Sequence, residues 1–110
     1  MEISRGDVVV AVFPKDHGKP RPAVVVQSDL FNAEHPSVTL CPITSELRTM
    51  SLFRLSVSPD AKNGLTKRSQ IMVDKIITVS TKRLGKVIGK LDTDDMPTLY
   101  RALRLWLGLA

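Results

Sequence analysis

Six stretches of strand length, rich in apolar and β-branched residues, punctuate the chain: "DVVVAVF" at 7–13, "AVVVQS" at 23–28, "SVTLCPI" at 37–43, "LFRLSVS" at 52–58, "SQIMVDKIITV" at 69–79 and "GKVIGKL" at 85–91. Turn-forming clusters separate them, among them "PKDHGKP", "NAEHP" and "SPDAKNG", as expected of strands joined by tight connections. In 52–58 the apolar Phe53, Leu55 and Val57 alternate with Arg54, Ser56 and Ser58, the period of a strand with one wet face. The valine runs alternate less, as strands covered on both sides do. One segment follows the other period. In "TDDMPTLYRALRLWLGLA", Met96, Leu99, Tyr100, Leu103, Trp106 and Leu107 fall on one helical stripe, with Arg101 and Arg104 off it, predicting an amphipathic C-terminal helix. Asp94 is the expected N-cap and Pro97 the third helical residue, where a missing N–H breaks no intrahelical bond. A short helix is expected from Ser28 and a single turn from Ser80. Sequential strands followed by one helix imply a small, mainly antiparallel barrel, α+β in broad class.

At 110 residues the chain has the length of one domain, 1–110, and buries roughly two thirds of its unfolded surface. Hydrophobic residues at 43% and charged residues at 25% are ordinary for a globular protein. Neither a membrane span nor a signal peptide is legible, so a cytoplasmic protein is expected. A single cysteine and two distant histidines leave neither a disulfide pair nor zinc-site spacing, and no cofactor is expected. The +5 net charge favours a polyanionic partner. Three Phe, one Tyr and one Trp argue against an aromatic platform for stacked bases, so phosphate contacts would dominate binding to RNA.

Polar groups stand where strands begin and end, the places from which a rigid sheet usually presents its chemistry. Pro20 and Pro22 flank Arg21 before the second strand; both prolines have a locked φ, and Pro22 holds Arg21 extended. By itself that is also how an edge strand keeps a charge in water. Thr44 and Ser45 end the third strand in "PITS", as phosphate donors or as a hydroxyl-capped turn. Asp74 and Lys75 fall inside "IMVDKI", where an ordinary surface ion pair is the alternative. His17 and His35 sit in turn-rich stretches typical of solvated loops, and Cys41 reads as a buried, inert thiol.

The combination of "RGDVVVAVFP", "GKPRPAVVVQSD", "PITS", "QIMVDKIITVSTKRLGKVIGKLD" and the final helix resembles the MazF/PemK (Kid) family of type II toxin-antitoxin toxins nearly end to end. The resemblance implies an SH3-like barrel related to that of CcdB, a homodimer, and a metal-independent, sequence-specific endoribonuclease acting on single-stranded RNA. In such enzymes the 2′-hydroxyl attacks the adjacent phosphorus, leaving a 2′,3′-cyclic phosphate and a 5′-hydroxyl. The family's catalytic arginine falls on Arg21 and its threonine on Thr44. A planar guanidinium and a hydroxyl both suit an oxyanion that gains charge in the transition state. Relatives often carry a glutamate in a longer "SEQxGxRP" loop; here the shorter "PKDHGKPRP" offers Asp16 or His17 as the base or orienting group. Lys19, Ser45, Arg48, Asp74 and Lys75 are the expected RNA contacts, Arg48 from a loop that would close over RNA. The implied partner is an antitoxin with an acidic and apolar C-terminal tail. Two rival readings are a CcdB-like gyrase poison that cuts nothing, echoed loosely in the terminal "LWLGLA", and a degenerate member that only binds RNA or antitoxin.

Overall fold

The structure is a computed structural model that describes residues 2–49 and 52–110. Met50 and Ser51, within the loop read as closing over RNA, lie outside the described residues. Among the described residues seven strands, β1 (Asp7–Val12), β2 (Pro20–Val25), β3 (Ser37–Thr44), β4 (Arg54–Val57), β5 (Ser69–Met72), β6 (Ile77–Ser80) and β7 (Leu84–Lys90), form one antiparallel sheet in the order β4-β5-β3-β2-β1-β7, with β6 also on β3. Helix α1 (Asp29–Asn32) follows β2, and α2 (Met96–Leu107) ends the chain. The mainly antiparallel sheet with one C-terminal helix is the expected class.

The valine runs are buried on both faces. Val8 and Val24 pack with Cys41, Ile43, Ile71, Leu99 and Leu103 in one cluster. Their neighbours Val9, Ala11, Ala23 and Val25 point the other way, into a second cluster with Phe13, Val38, Leu40 and Val79. Period-2 geometry therefore sends Val8 and Val24 to one apolar layer and Val9 and Val25 to the other, at roughly 1.5–3 kcal/mol for each full burial, while Val10 and Val12 stay half-buried. The "RGD" that opens β1 is scaffold: Gly6 N–H donates to Val25 C=O at 2.8 Å, Leu91 N–H donates to Gly6 C=O at 2.8 Å, and Asp7 Oδ2 accepts from Ser4 N–H at 2.8 Å.

Three expectations need correction. First, 69–79 is not one strand. Three steps along β3, from Leu40 to Ile43, face six steps along its partner, from Ile77 back to Ile71, and a 3₁₀ turn, Val73–Lys75, takes up the excess. Asp74 and Lys75 thus stand on a protruding turn. Second, β4 and β7 do not pair, so the barrel is not closed by a ladder among the described residues. The β4–β5 connection lies across β7 instead: Lys90 N–H donates to Lys62 C=O at 2.8 Å. The fully buried Asn63 pins this connection by donating to Ser58 C=O at 2.9 Å and accepting from Leu65 N–H at 3.0 Å. Contact is so close that a Cβ on Gly89 would stand 2.3 Å from Lys62 O. Third, the N-cap position of α2 is Asp95 rather than Asp94, without a side-chain capping bond, and Pro97 lies in the first turn. A tight turn precedes the helix, Asp95 N–H bonding to Asp92 C=O at 2.9 Å and Asp94 N–H to the Asp92 carboxylate at 3.0 Å, which delays it by one residue.

Helix α2 buries Leu99, Ala102 and Leu103. The end of the predicted stripe is half exposed, although Trp106 meets Phe53 edge-on with ring centroids 5.0 Å apart. Gly108, at φ +68°, closes the helix with its N–H directed at the Arg104 and Leu105 carbonyls, a left-handed cap suited to glycine. The short helix begins at Ser28, whose hydroxyl accepts from Leu30 N–H at 3.2 Å, and Ser80 caps the 3₁₀ turn Thr81–Arg83 in the same way.

Candidate active site

The site lies where β2 and β3 part. Strand β2 begins at Pro20, so Arg21 stands within it, opposite Ala11 of β1. On its other edge β2 pairs with β3 only through Ala23–Val25. Val26 N–H donates to Thr39 C=O on β3 at 3.1 Å, and strand alternation puts the nitrogens of Pro20 and Pro22 on that same edge, beyond the reach of the ladder. The prolines forfeit hydrogen bonds that no strand is there to accept. Meanwhile the end of β3 turns to β5, with Ile43 opposite Ile71 and Thr44 opposite Gln70. The gap between the start of β2 and the end of β3 is a cleft walled by Arg21 and Thr44.

Two hollows meet at that wall. The larger, about 520 Å³, is floored by Phe13, Pro42, Met72 and Ile77 and rimmed by Asp16, Arg21, Thr44, Arg54 and Lys75; its size suits a small-molecule or nucleotide ligand. The smaller, about 270 Å³, is lined by Lys19, Arg21, Thr44, Ser45, Thr66 and Lys67 among others. Arg21 and Thr44 belong to both.

The β1–β2 turn delivers the carboxylate. Asp16 N–H bonds to Phe13 C=O at 3.1 Å and Lys19 N–H to Asp16 C=O at 2.9 Å, folding the turn back over β2. Asp16 Oδ2 then lies 2.9 Å from Arg21 Nε, an ion pair outside the angular range of a hydrogen bond. With Nε so engaged, the terminal nitrogens of the fork remain for an anion. Thr44 is buried, at 7% exposure, and its Oγ1 accepts from Glu46 N–H at 3.1 Å. The hydroxyl-capped turn read from the sequence is therefore present, and it leaves the hydroxyl proton to be donated elsewhere.

Asp16, Arg21, Thr44 and Lys75 thus come together around the larger hollow, and Lys19 and Ser45 around the smaller. His17 is exposed in the turn at φ +53° and lines neither. Arg48 is exposed, with Nη2 3.9 Å from Glu46 Oε1, and Asp74 is half-buried on the 3₁₀ turn; neither lines these hollows. Arg54 and Gln70 escape sequence reasoning. Arg54 Nη1 donates to Glu46 C=O at 2.9 Å and to Gln70 Oε1 at 3.1 Å; the buried Gln70 also accepts from Arg48 N–H at 3.0 Å and donates to Arg48 C=O at 2.9 Å. Elsewhere, Cys41 is buried, and desolvation pushes its thiol up to about 12. Among the described residues no three His, Cys, Asp or Glu gather where they would hold a metal ion, and no helix is long and apolar enough to cross a membrane.

A rolled antiparallel sheet with one covering helix, opening a cleft rimmed by arginine and lysine between two diverging strands, defines a small antiparallel β-protein with a polar strand gap. Residues 4–107 match the PemK-like, MazF-like toxins of type II toxin-antitoxin systems, and the chain belongs to this family. It is 37% identical over 107 residues to a probable endoribonuclease MazF of Mycolicibacterium smegmatis, covering 96% of this chain and 97% of that one. It is 32% identical over 114 residues to endoribonuclease EndoA of Bacillus subtilis, covering 99% and 97%. Its fold matches that of an endoribonuclease from a mycobacterial species, solved with its cognate antitoxin, with a TM-score of 0.83 at 22% identity over 99% of this chain and 98% of that chain.

Proposed function

We propose that this protein is the endoribonuclease toxin of a type II toxin-antitoxin system, cutting single-stranded RNA at the Arg21–Thr44 wall. The observation that carries this reading is the convergence of the Asp16–Arg21 pair and the Thr44 hydroxyl on one wall between two hollows. A phosphodiester resting on that wall has a nucleotide on either side, one over the apolar floor and one over the lysine-rimmed hollow. The 2′-oxygen attacks phosphorus and the bond to the 5′-oxygen breaks. The terminal guanidinium nitrogens of Arg21 and the Thr44 hydroxyl donate to the non-bridging oxygens as charge grows on them. Asp16 orients the Arg21 fork and offers its second oxygen to the 2′-hydroxyl proton. A guanidinium holds its protons tightly, so the leaving oxygen takes its proton from water in the open cleft.

Lys19, Ser45 and Lys75 hold the flanking RNA, and Arg48 and Asp74 act at longer range from the loop and turn that border the cleft. The protein works in the cytoplasm as a homodimer, and an antitoxin with an acidic, apolar tail covers the basic cleft. The +5 charge supports both polyanionic partners. The test is incubation of the purified protein with end-labelled RNA in EDTA. Fragments ending in 2′,3′-cyclic phosphate and 5′-hydroxyl, absent with Arg21→Ala, are expected. Intact RNA together with inhibited gyrase would establish the gyrase-poison reading instead. A pH–rate profile unchanged in Asp16→Asn but altered in His17→Gln would move the base to His17.

A further inference from the structure

We propose that Gln70 and Arg54 form a clamp that positions the Thr44 hydroxyl, acting through the loop that follows β3; this rests on the reading of Thr44 as a donor to the reacting phosphate. The side-chain amide of Gln70 pairs with both the N–H and the C=O of Arg48, as a neighbouring strand would. Its oxygen takes a second donor, Arg54 Nη1, which also holds the Glu46 carbonyl. The peptide N–H of that same Glu46 bonds to Thr44 Oγ1. A short chain of contacts thus runs from the buried glutamine to the hydroxyl. Ser45, Glu46, Leu47, Arg48 and Thr49 are all exposed and belong to no strand or helix, so fixing them costs backbone entropy at every residue. The clamp offsets that cost with bonds from the rigid strands.

The register explains why these two side chains have the task. Gln70 stands opposite Thr44 on one side and Ser56 on the other. Arg54 stands opposite Met72 and reaches its Sδ with Nη2 at 3.6 Å, so the guanidinium is held against the cleft wall. A glutamine in the middle of a three-strand ladder, at 7% exposure, is an expensive way to fill space; Leu or Val would pack at least as well. Its four polar valences make sense as geometry for the loop. Loss of the amide leaves the backbone of Arg48 to water, because that residue is exposed, so stability suffers little. Thr44 Oγ1 loses its fixed partner, and misplacement of a reacting group by about 1 Å can cost on the order of a hundredfold in rate.

The experiment compares wild type, Gln70→Leu, Gln70→Glu, Arg54→Met and Thr44→Val. It measures kcat at saturating RNA, affinity for the same oligonucleotide with a 2′-deoxy sugar at the cut, thermal midpoint, and amide exchange at Glu46 and Arg48. Gln70→Leu and Arg54→Met are expected to lower kcat about ten- to a hundredfold and speed exchange at both amides, with the midpoint preserved. In Gln70→Leu, affinity should stay within about twofold of wild type. Gln70→Glu keeps both acceptor contacts but sets an oxygen against Arg48 C=O, so it should recover only part of the rate. Wild-type kcat in Gln70→Leu with Thr44→Val inactive, parallel loss of kcat, affinity and thermal midpoint, or unchanged exchange would overturn the clamp alone. If Gln70→Leu does not fold, Arg54→Met decides through exchange at Glu46, because Arg54 also rims the larger hollow and its loss can weaken RNA binding directly; unchanged exchange there would overturn the clamp. Wild-type cleavage by Thr44→Val would overturn the donor reading and the positioning role together.

Discussion

Replacing Thr44 with valine separates what this side chain does for catalysis from what it does for the fold. Valine keeps the β-branched shape at the end of β3 and suits a strand as well as threonine. What it lacks is the oxygen that accepts from Glu46 N–H at 3.1 Å. Because Glu46 is exposed, water replaces that bond, and the expected stability loss is about 1 kcal/mol. For a domain of this size that lowers the melting midpoint by roughly 4 °C. The corresponding loss in transition-state stabilisation, for a donor aimed at a phosphate oxygen, is about 3–4 kcal/mol, or a hundred- to thousandfold in rate. Thermal melts followed by circular dichroism, beside single-turnover cleavage of labelled RNA, read the two quantities on one preparation. A domain with several kcal/mol in reserve remains almost wholly folded after losing 1 kcal/mol, so unfolding cannot account for the slower reaction. A rate loss below about tenfold, or a melting shift large enough to explain the loss, would refute the reasoning.

Other consequences concern the scaffold and its charges. Gly89→Ala pushes a Cβ to 2.3 Å from Lys62 O; displacing the β4–β5 connection from β7 should cost about 2–3 kcal/mol, measured by urea unfolding, and a neutral substitution would show that the connection does not close the sheet. Burial and the nearby carboxylates of Asp92, Asp60 and Asp94 raise the Asp95 pKa, so its charged form is disfavoured in the folded state. Asp95→Asn should therefore stabilise the protein at neutral pH, with the gain vanishing as pH falls through that raised value and below the ordinary 3.8. Asp29 behaves oppositely: bonds from Arg5 N–H and Asn32 lower its pKa, so Asp29→Asn should destabilise above pH 3.8 and lose its effect as pH falls through the lowered value. With its thiol pushed up to about 12 by burial, Cys41 should resist a thiol reagent at pH 8 until denaturant is added; rapid native labelling would contradict its packing.

The strands were legible because β-branched runs and turn residues are local signals, and the alternation of 52–58 identified its wet face correctly. The interruption of 69–79 was not, because "IMVDKIITV" is apolar on both sides of the turn and the three extra residues are required only by the register against β3. Closure of the sheet by a connection rather than a ladder depends on the close approach of Gly89 to Lys62, a tertiary fact with no local signature. Around the cleft, the family resemblance offered Asp16 as a base or orienting group near Arg21, whereas its ion pair with Arg21 Nε depends on how the β1–β2 turn folds back, which the sequence does not spell out. Arg54 sat on the polar side of an alternating strand, where a solvated arginine looks the same as one bonded to Glu46 and Gln70. Gln70 had no signal at all, since its partner Arg48 lies 22 residues away along the chain. Asp74 seemed to belong to a strand and stands on a turn outside the cleft lining.

The most direct measurement uses a short RNA spanning a mapped cut, prepared with ribose and with a 2′-deoxy sugar at the nucleotide on the 5′ side of the broken bond. Cleavage by attack of the 2′-oxygen across the Arg21–Thr44 wall predicts that the deoxy version binds with unchanged affinity and is not cut at that bond. Cutting of the deoxy substrate at the rate of the ribose one would contradict the account.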